Sequence, residues 1–222
     1  MTTAPATRPG DRPARRHDPD RASRIVDATI DVLAEHGVAG TTHRLIAAAA
    51  DVPLGSLTYH FTGLDDLLER AFTRHAERMA ADYEARFADV RSTEDLIDAV
   101  TGLVHAEADA DDRDWAVAYE LNLAAVRNPA LRTVTESWMR RSRSVLERFV
   151  DPTTSRGVDA LIEGLVMHKV LSTGPVSREQ TREIVARAVR PTDSPTSDPT
   201  TSDFPTSDPT TSDPTTSSED PA

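Results

Sequence analysis

The chain has 222 residues and a formal net charge of −12, with 38% hydrophobic and 5% aromatic residues and no cysteine. The missing cysteines exclude a disulfide framework and any thiolate metal site, and no apolar run approaches the roughly 18 residues of a membrane span. The acidic total does not exclude nucleic acid as a partner, because residues 191–222 hold seven acidic and no basic side chains and so supply more than half of the net charge.

The start of the chain, residues 1–17, carries Arg8, Arg12, Arg15 and Arg16 against Asp11 alone. It lacks the apolar stretch of a signal peptide, so the chain reads as a soluble cytoplasmic protein with no membrane partner. From Asp18 to Arg190 helix signals follow one another without a convincing strand alternation, which predicts an all-α fold of about nine helices. Asp18-Pro19 reads as a cap with proline at the first helical position; Ile25, Thr29 and Leu33 line one face, and Gly37 stands where a helix stops. A long helix follows Phe61, with Leu64, Leu68, Phe72, Ala76, Met79, Tyr83 and Phe87 three or four apart.

Ser92-Thr93-Glu94-Asp95 reads as a capping box ahead of Leu96, Val100, Leu103 and Val104. The acidic run "ADADDRD" is expected to break that helix before another opens near Trp115. Asn128-Pro129 opens the next, with Leu131, Trp138 and Val145 on one face, and Asp151-Pro152 ends it. Val158 to Leu171 is apolar almost all round, including Leu165, so it must be covered on more than one side. Ser177-Arg178-Glu179-Gln180 is a capping box for a last helix with Ile184, Val185, Ala188 and Val189. Beyond it the tail repeats "PTSDPTTSD" at Pro195 and Pro205, a composition too poor in apolar residues to offset chain entropy, and is expected to be disordered.

The stretch "TTHRLIAAAADVPLGSLTYHF", Thr41 to Phe61, holds two helices too short to stand alone. Thr41 or Thr42 caps the first, Ile46 and Ala50 point into a shared core with Val52 and Leu57, and Asp51 sits in a turn where a left-handed backbone is often needed. The second, roughly Leu54 to His60, turns Ser56, Thr58 and Tyr59 outward. Such a pair is a helix-turn-helix whose second helix suits a major groove, with Thr41 and Thr42 suited to a phosphate. Spacing alone fits a plain αα-corner of a helical bundle equally well.

A resemblance decides between them. Residues from about Ala22 to Leu68 resemble the DNA-binding domain of the TetR family of bacterial transcriptional regulators. Ile25, Ala28, Phe61, Leu67, "GVAGTTHRLIAAAADV" and "GSLTYHF" leading into "TGLDDLL" carry it. The family usually has Gly where this chain has Asp51, Tyr where Thr58 stands, and Lys where Leu64 stands. That leaves one backbone contact to Thr62 or the N-terminal arginines. By resemblance, Thr42, Arg44, Pro53, Leu54, Ser56, Thr58, Tyr59 and His60 are the DNA-facing candidates, and Arg12, Arg15 and Arg16 a flexible arm able to enter a minor groove. The organisation expected is a flexible Arg-rich arm over 1–17, a helix-turn-helix domain over 18–64, a helical ligand-binding and dimerisation domain over 65–190, and the repeat tail over 191–222.

The family further implies a homodimer, here through the helices of residues 156–190, a double-stranded DNA operator built as an inverted repeat, and a pocket for a small-molecule effector. The candidates of suitable type for that pocket are Trp115, Tyr119, Asn122, Trp138, Met139, Met167 and His168, each of which also suits core packing. The effector expected is a small apolar or amphipathic molecule that releases a repressor from DNA by tilting the helix from Leu64 to Phe87. A metal site from His105 and Asp109, read as four apart on one helix face, is a poor transition-metal donor set. No phosphate loop, nucleophile elbow or carboxylate-pair signature is present, so neither an enzyme nor a cofactor is expected. The rival reading is a dimeric helical small-molecule-binding or scaffold protein that does not read DNA.

Overall fold

The computed structural model describes residues 20–106, 108–171, 174 and 176–190, with 108–111 described as backbone only. Among these residues the chain forms nine helices and no strand: α1 (Arg21–Gly40), α2 (His43–Ala49), α3 (Gly55–His60), α4 (Leu64–Arg86), α5 (Thr93–Val104), α6 (Ala108–Arg127), α7 (Pro129–Leu146), α8 (Pro152–Val170) and α9 (Arg178–Val189). The arm, the Asp18-Pro19 signal and the repeat tail lie outside the described residues; α1 opens at Arg21 behind Asp20.

Side chains that satisfy the first free N–H groups fix most of the other starts. Thr42 accepts from Leu45 N–H at the head of α2, Ser92 from Asp95 N–H at α5, and Asn128 from Ala130 N–H at α7. Asp151 accepts from both Thr153 and Thr154 N–H at α8, and Ser177 and Gln180 form a full capping box at α9. At α5 the return half of the expected box is shifted by one residue, since Asp95 accepts from Arg91 N–H at 3.0 Å.

Two expectations about boundaries change. The acidic run "ADADDRD" does not interrupt a helix but begins α6, where carboxylates are favoured by the positive end of the helix dipole. Asp151-Pro152 does not end α7, which stops at Leu146; it starts α8, a turn and a half before Val158. His105 therefore caps the end of α5 while Asp109 lies on α6, so the two do not share a helix face, and His105 Nε2 meets Thr181 Oγ1 at 2.8 Å.

The apolar side chains form two cores. The first joins Ile25, Ile30 and Leu33 of α1, Ile46 of α2, Leu57 of α3, Leu67 and Phe72 of α4, Val117 and Leu121 of α6, and Leu131 of α7. The second joins Tyr83 of α4 and Phe87 just beyond it to Leu96, Ile97 and Val100 of α5, Val145 and Leu146 of α7, Ile162 and Leu165 of α8, and Val185 of α9. The expected boundary at residues 64–65 is thus no packing boundary: α6 and the first half of α4 pack with the helix-turn-helix.

Helix α8 is less uniformly apolar in its surroundings than its sequence suggests. Val158, Ile162, Leu165 and Val166 are buried inside the protomer, whereas Gly157, Ala160, Met167, His168 and Leu171 are exposed along the opposite side.

Candidate DNA-reading helix and effector cavity

The helix-turn-helix is built on two buried anchors of α3 and its cap, Leu57 and Phe61, which share a core with Ile46 and Ala47 of α2 and Ala50 at its end. The turn passes through Asp51 at φ 51°, a left-handed conformation that Asp tolerates better than most residues. Ser56 N–H donates to Pro53 O at 2.8 Å and Leu57 N–H to Leu54 O at 3.1 Å, so Pro53 and Leu54 form a tight lead-in to α3, which begins at Gly55 rather than Leu54.

Thr42, Arg44, Pro53, Leu54, Thr58 and Tyr59 are all exposed, and Ser56 and His60 half-buried. Tyr59 is 83% exposed, with its ring edge-on to His60 at 4.8 Å. Arg44 has no ion-pair partner among the described residues, which leaves its charge available. Thr41 differs from Thr42: it is buried, and its hydroxyl donates to Gly37 O at 2.7 Å, so only Thr42 faces solvent at this helix start. Thr62 offers Asp66 both its N–H, at 2.9 Å, and its hydroxyl, at 3.3 Å, and Leu64 packs against the first core.

A small, partly open cavity of about 60 Å³ lies where the two cores meet. It is walled by Met79, Asp82, Tyr83 and Arg86 of α4, Leu103 of α5, Asp114 and Trp115 of α6, Trp138, Met139 and Ser142 of α7, and Asp159, Ile162 and Glu163 of α8. Trp115 stands between Trp138, 6.2 Å away, and Tyr119, 6.1 Å away, centroid to centroid. Trp115, Trp138 and Met139 of the expected set therefore line the cavity. Tyr119 packs against Trp115, and its hydroxyl and the Asn122 Oδ1 are buried without a hydrogen-bond partner among the described residues. His168 lies on the exposed side of α8, away from these walls, as does Met167.

The electrostatics of the walls are acidic. Asp114 is paired with Arg78 at 2.5 Å. Asp159 accepts Ser142 Oγ–H at 2.7 Å and lies 3.5 Å from Arg143, yet burial holds its carboxyl above the usual carboxylate range. One turn further along α8, Glu163 has no hydrogen-bond or ion-pair partner among the described residues; burial, and then the charge of Asp159, push it upward too. Burial, with Glu163 second, raises the Tyr119 hydroxyl to about 12. Sequence reading missed Asp159 and Glu163, although carboxylates one turn apart in an otherwise apolar helix are a usable signal. Taken together, a rigid helix pair with an exposed reading helix and a separate walled cavity define a ligand-binding, DNA-reading protein.

Residues 25–71 match the family described as bacterial regulatory proteins, tetR family, and residues 91–191 match the tetracyclin repressor-like C-terminal domain. The transcriptional regulator CymR of Pseudomonas putida is 31% identical over 151 residues, covering 66% of this chain and 73% of that protein. Among solved structures, the transcriptional regulator SCO7518 of Streptomyces coelicolor A3(2) is 44% identical, with a TM-score of 0.70 over 77% of this chain and 99% of that one. The multidrug binding protein EbrR in complex with ethidium is 37% identical, with a TM-score of 0.64 over 78% and 100% of the two chains. EbrR has also been solved with proflavin and with malachite green. The chain belongs to the TetR family of bacterial transcriptional regulators. It is a DNA-binding regulator of the helix-turn-helix class, and no helix among its described residues is long and apolar enough to cross a membrane.

Proposed function

We propose that this regulator represses transcription as a homodimer on an inverted-repeat operator and is released when an aromatic cation enters the cavity between α4, α6, α7 and α8. The observation that carries the effector class is Glu163: a half-buried carboxylate with no hydrogen-bond or ion-pair partner among the described residues, only the more distant charge of Arg143 opposing its burial, and facing a cavity walled by Trp115, Trp138 and Tyr83. A cation relieves the cost of a partly desolvated negative charge, and aromatic faces attract both its charge and its ring surface. The relationship to EbrR, which binds ethidium, proflavin and malachite green, supports the same class. The effector is thus charged as well as amphipathic, a narrower class than sequence alone implies. Tyr119 forms a second layer against Trp115, Asn122 follows one turn further along α6, and His168 belongs to the outer face of α8.

The dimer reading is supported by that outer face. Gly157, Ala160 and Gly164 are small enough to let a second α8 approach closely, and Met167, Leu171 and Ile184 of the neighbouring surface are exposed apolar groups. Pairing α8 and α9 across a twofold axis gives a four-helix interface and sets two copies of α3 about one DNA turn, roughly 34 Å, apart. Thr42, Arg44, Pro53 and Leu54 then meet the phosphate backbone, and Ser56, Thr58, Tyr59 and His60 the groove.

The test is fluorescence anisotropy with a labelled duplex from the region upstream of the regulator's own gene. Malachite green should lower the DNA affinity by about 5–150-fold, the usual span of a coupling free energy. Unchanged DNA affinity with dye demonstrably bound would refute the effector reading.

A further inference from the structure

Helix α1 breaks at Gly37, with φ 64° and ψ 178°, and the chain then turns through Val38 to Thr41 before Thr42 caps α2. The groups at this elbow are held from two sides. Thr41 Oγ–H donates to Gly37 O at 2.7 Å. From α6, Glu120 Oε2 accepts Val38 N–H at 3.0 Å, across 82 positions of sequence. Its other oxygen sits so close that a Cβ on residue 37 would come within 2.9 Å of it. Glycine is needed here for the left-handed backbone, and a Cβ in its place would also push the Glu120 carboxylate aside. An N–H freed by a helix break needs a partner, and an ionised carboxylate is among the strongest available.

The same helix forms a wall of the cavity. Asp114 and Trp115 line it, Tyr119 packs against Trp115, and Glu120 is the next residue. Val117 and Leu121 anchor the middle of α6 in the first core. A helix is stiff along its axis, so an occupant that shifts Trp115 also shifts Glu120. About 1 Å of movement takes a 3.0 Å bond outside hydrogen-bonding range unless the elbow follows. Arg113, which meets Asp31 at 3.3 Å and Glu35 at 3.6 Å, also joins α6 to α1, but through long exposed side chains that can flex. Arg113 also holds backbone, donating to Asp31 O at 3.2 Å, but within the body of α1; Glu120 holds the elbow itself, four positions before the cap of α2.

We propose that Glu120 is the positioning residue of the effector response: its hold on the Gly37–Val38 elbow passes movement of α6 to α2 and α3. This rests on the effector reading of the cavity given above, and its test has one arm that needs no effector. Trp115 and Trp138 are the chain's two tryptophans and both line the cavity, so their emission reports whether DNA bound at α3 is felt there. Coupling is reciprocal, so DNA binding should change the emission of the wild-type protein. Glu120→Asp withdraws the carboxylate by one carbon–carbon bond, about 1.5 Å. It should bind the same duplex within about threefold of wild type while losing the emission change. Glu120→Gln keeps an acceptor of equal reach and should retain it.

The second arm uses malachite green, because ethidium and proflavin intercalate into duplex DNA themselves. Its affinity for the free protein should be the same in wild type and Glu120→Asp, while its weakening of DNA binding should fall from about 5–150-fold to less than about twofold. A Glu120→Asp protein that binds DNA and keeps the wild-type emission change overturns the proposal, as does a wild-type emission that DNA leaves untouched. Loss of all DNA binding by Glu120→Asp overturns it too, since Glu120 would then merely support the reading head. Failure of malachite green to bind wild type counts against the cavity's effector class instead, and the emission arm alone then decides on Glu120.

Discussion

Leu57 and Tyr59 stand two residues apart on α3 in opposite environments: Leu57 is 1% exposed and Tyr59 83%. A helix turns its side chains through about 200° over two residues, so one anchors the helix while the other faces away from the protein. Tyr59→Ala should therefore weaken operator binding with little change in melting temperature, whereas Leu57→Ala should cost about 2–5 kcal/mol of stability. Thermal melts and anisotropy on both variants check this; a Tyr59→Ala protein that melts early and binds normally would reverse the assignment.

Arg44, exposed and without an ion-pair partner among the described residues, is placed to meet a phosphate. Arg44→Ala should reduce the slope of log affinity against log salt by about one unit and weaken binding to all duplexes alike. A change in sequence preference with an unaltered slope would put Arg44 at a base edge instead.

Leu165 and Gly164 adjoin on α8 but face different ways. Leu165 is 9% exposed within the second core, and a Cβ added to Gly164 meets nothing within 4 Å. Leu165→Glu buries an unpaired charge and should unfold the protomer. Gly164→Arg should leave the fold intact and break a close α8–α8 approach, giving a folded monomer by light scattering. A chain ending at Arg190 should remain a dimer, because the tail's composition gives it no surface to pack.

Glu163→Gln should lower affinity for proflavin by about tenfold or more, since an interaction with a charged group contributes about 1.5–3 kcal/mol. It should change affinity for acridine, uncharged at neutral pH, far less. The carboxyls of Asp159 and Glu163 are both raised, so in acid they are increasingly protonated and proflavin should bind more weakly as pH falls. Quenching of tryptophan emission by each compound between pH 5 and 8 gives both results. Equal losses for the charged and uncharged compounds would make Glu163 a structural residue.

His75 is fully buried on α4 and, because a carbonyl only accepts, must donate from Nε2 to Asp114 O at 2.9 Å, leaving Nδ1 to accept from Arg78 at 3.3 Å. Burial lowers its pKa, the nearby Asp114 charge opposing this without prevailing. A lowered histidine means that the unfolded chain binds the proton first. The stability contributed by His75 is thus complete above the ordinary value of 6.5 and lost as pH falls below it, at up to about 1.4 kcal/mol per pH unit. Wild-type melting temperature should drop between pH 7 and 5 more steeply than that of His75→Gln.

Local signals with a short physical range were legible in the sequence. The caps at Thr42, Asn128 and Ser177, the left-handed Asp51 and the outward Tyr59 each depend on a few neighbouring residues. Signals that depend on which neighbour a face meets were not. Leu165 and Leu171 are equally apolar, and nothing along α8 says that one enters the protomer core and the other stays exposed. The acidic start of α6 read as a breaker because composition ignores where along a helix a carboxylate falls. Asp159 and Glu163 escape a sequence reading because acids on a helix are ordinarily solvated; only the approach of α6 and α7 makes them a wall.

Helix α4 crosses from one core to the other, contributing Leu67 and Phe72 to the first and Tyr83 to the second, with the cavity at the crossing. Separately packed cores are expected to open as separate cooperative units. Deuterium uptake should then sort the chain by core membership: the amides of Leu67 and Leu121 exchange in step with those of Ile25 and Ile46, while those of Ile97 and Val185 follow a second, independent opening. A molecule lodged at the seam touches both foldons, so its arrival should slow exchange on either side together and merge two opening events into one.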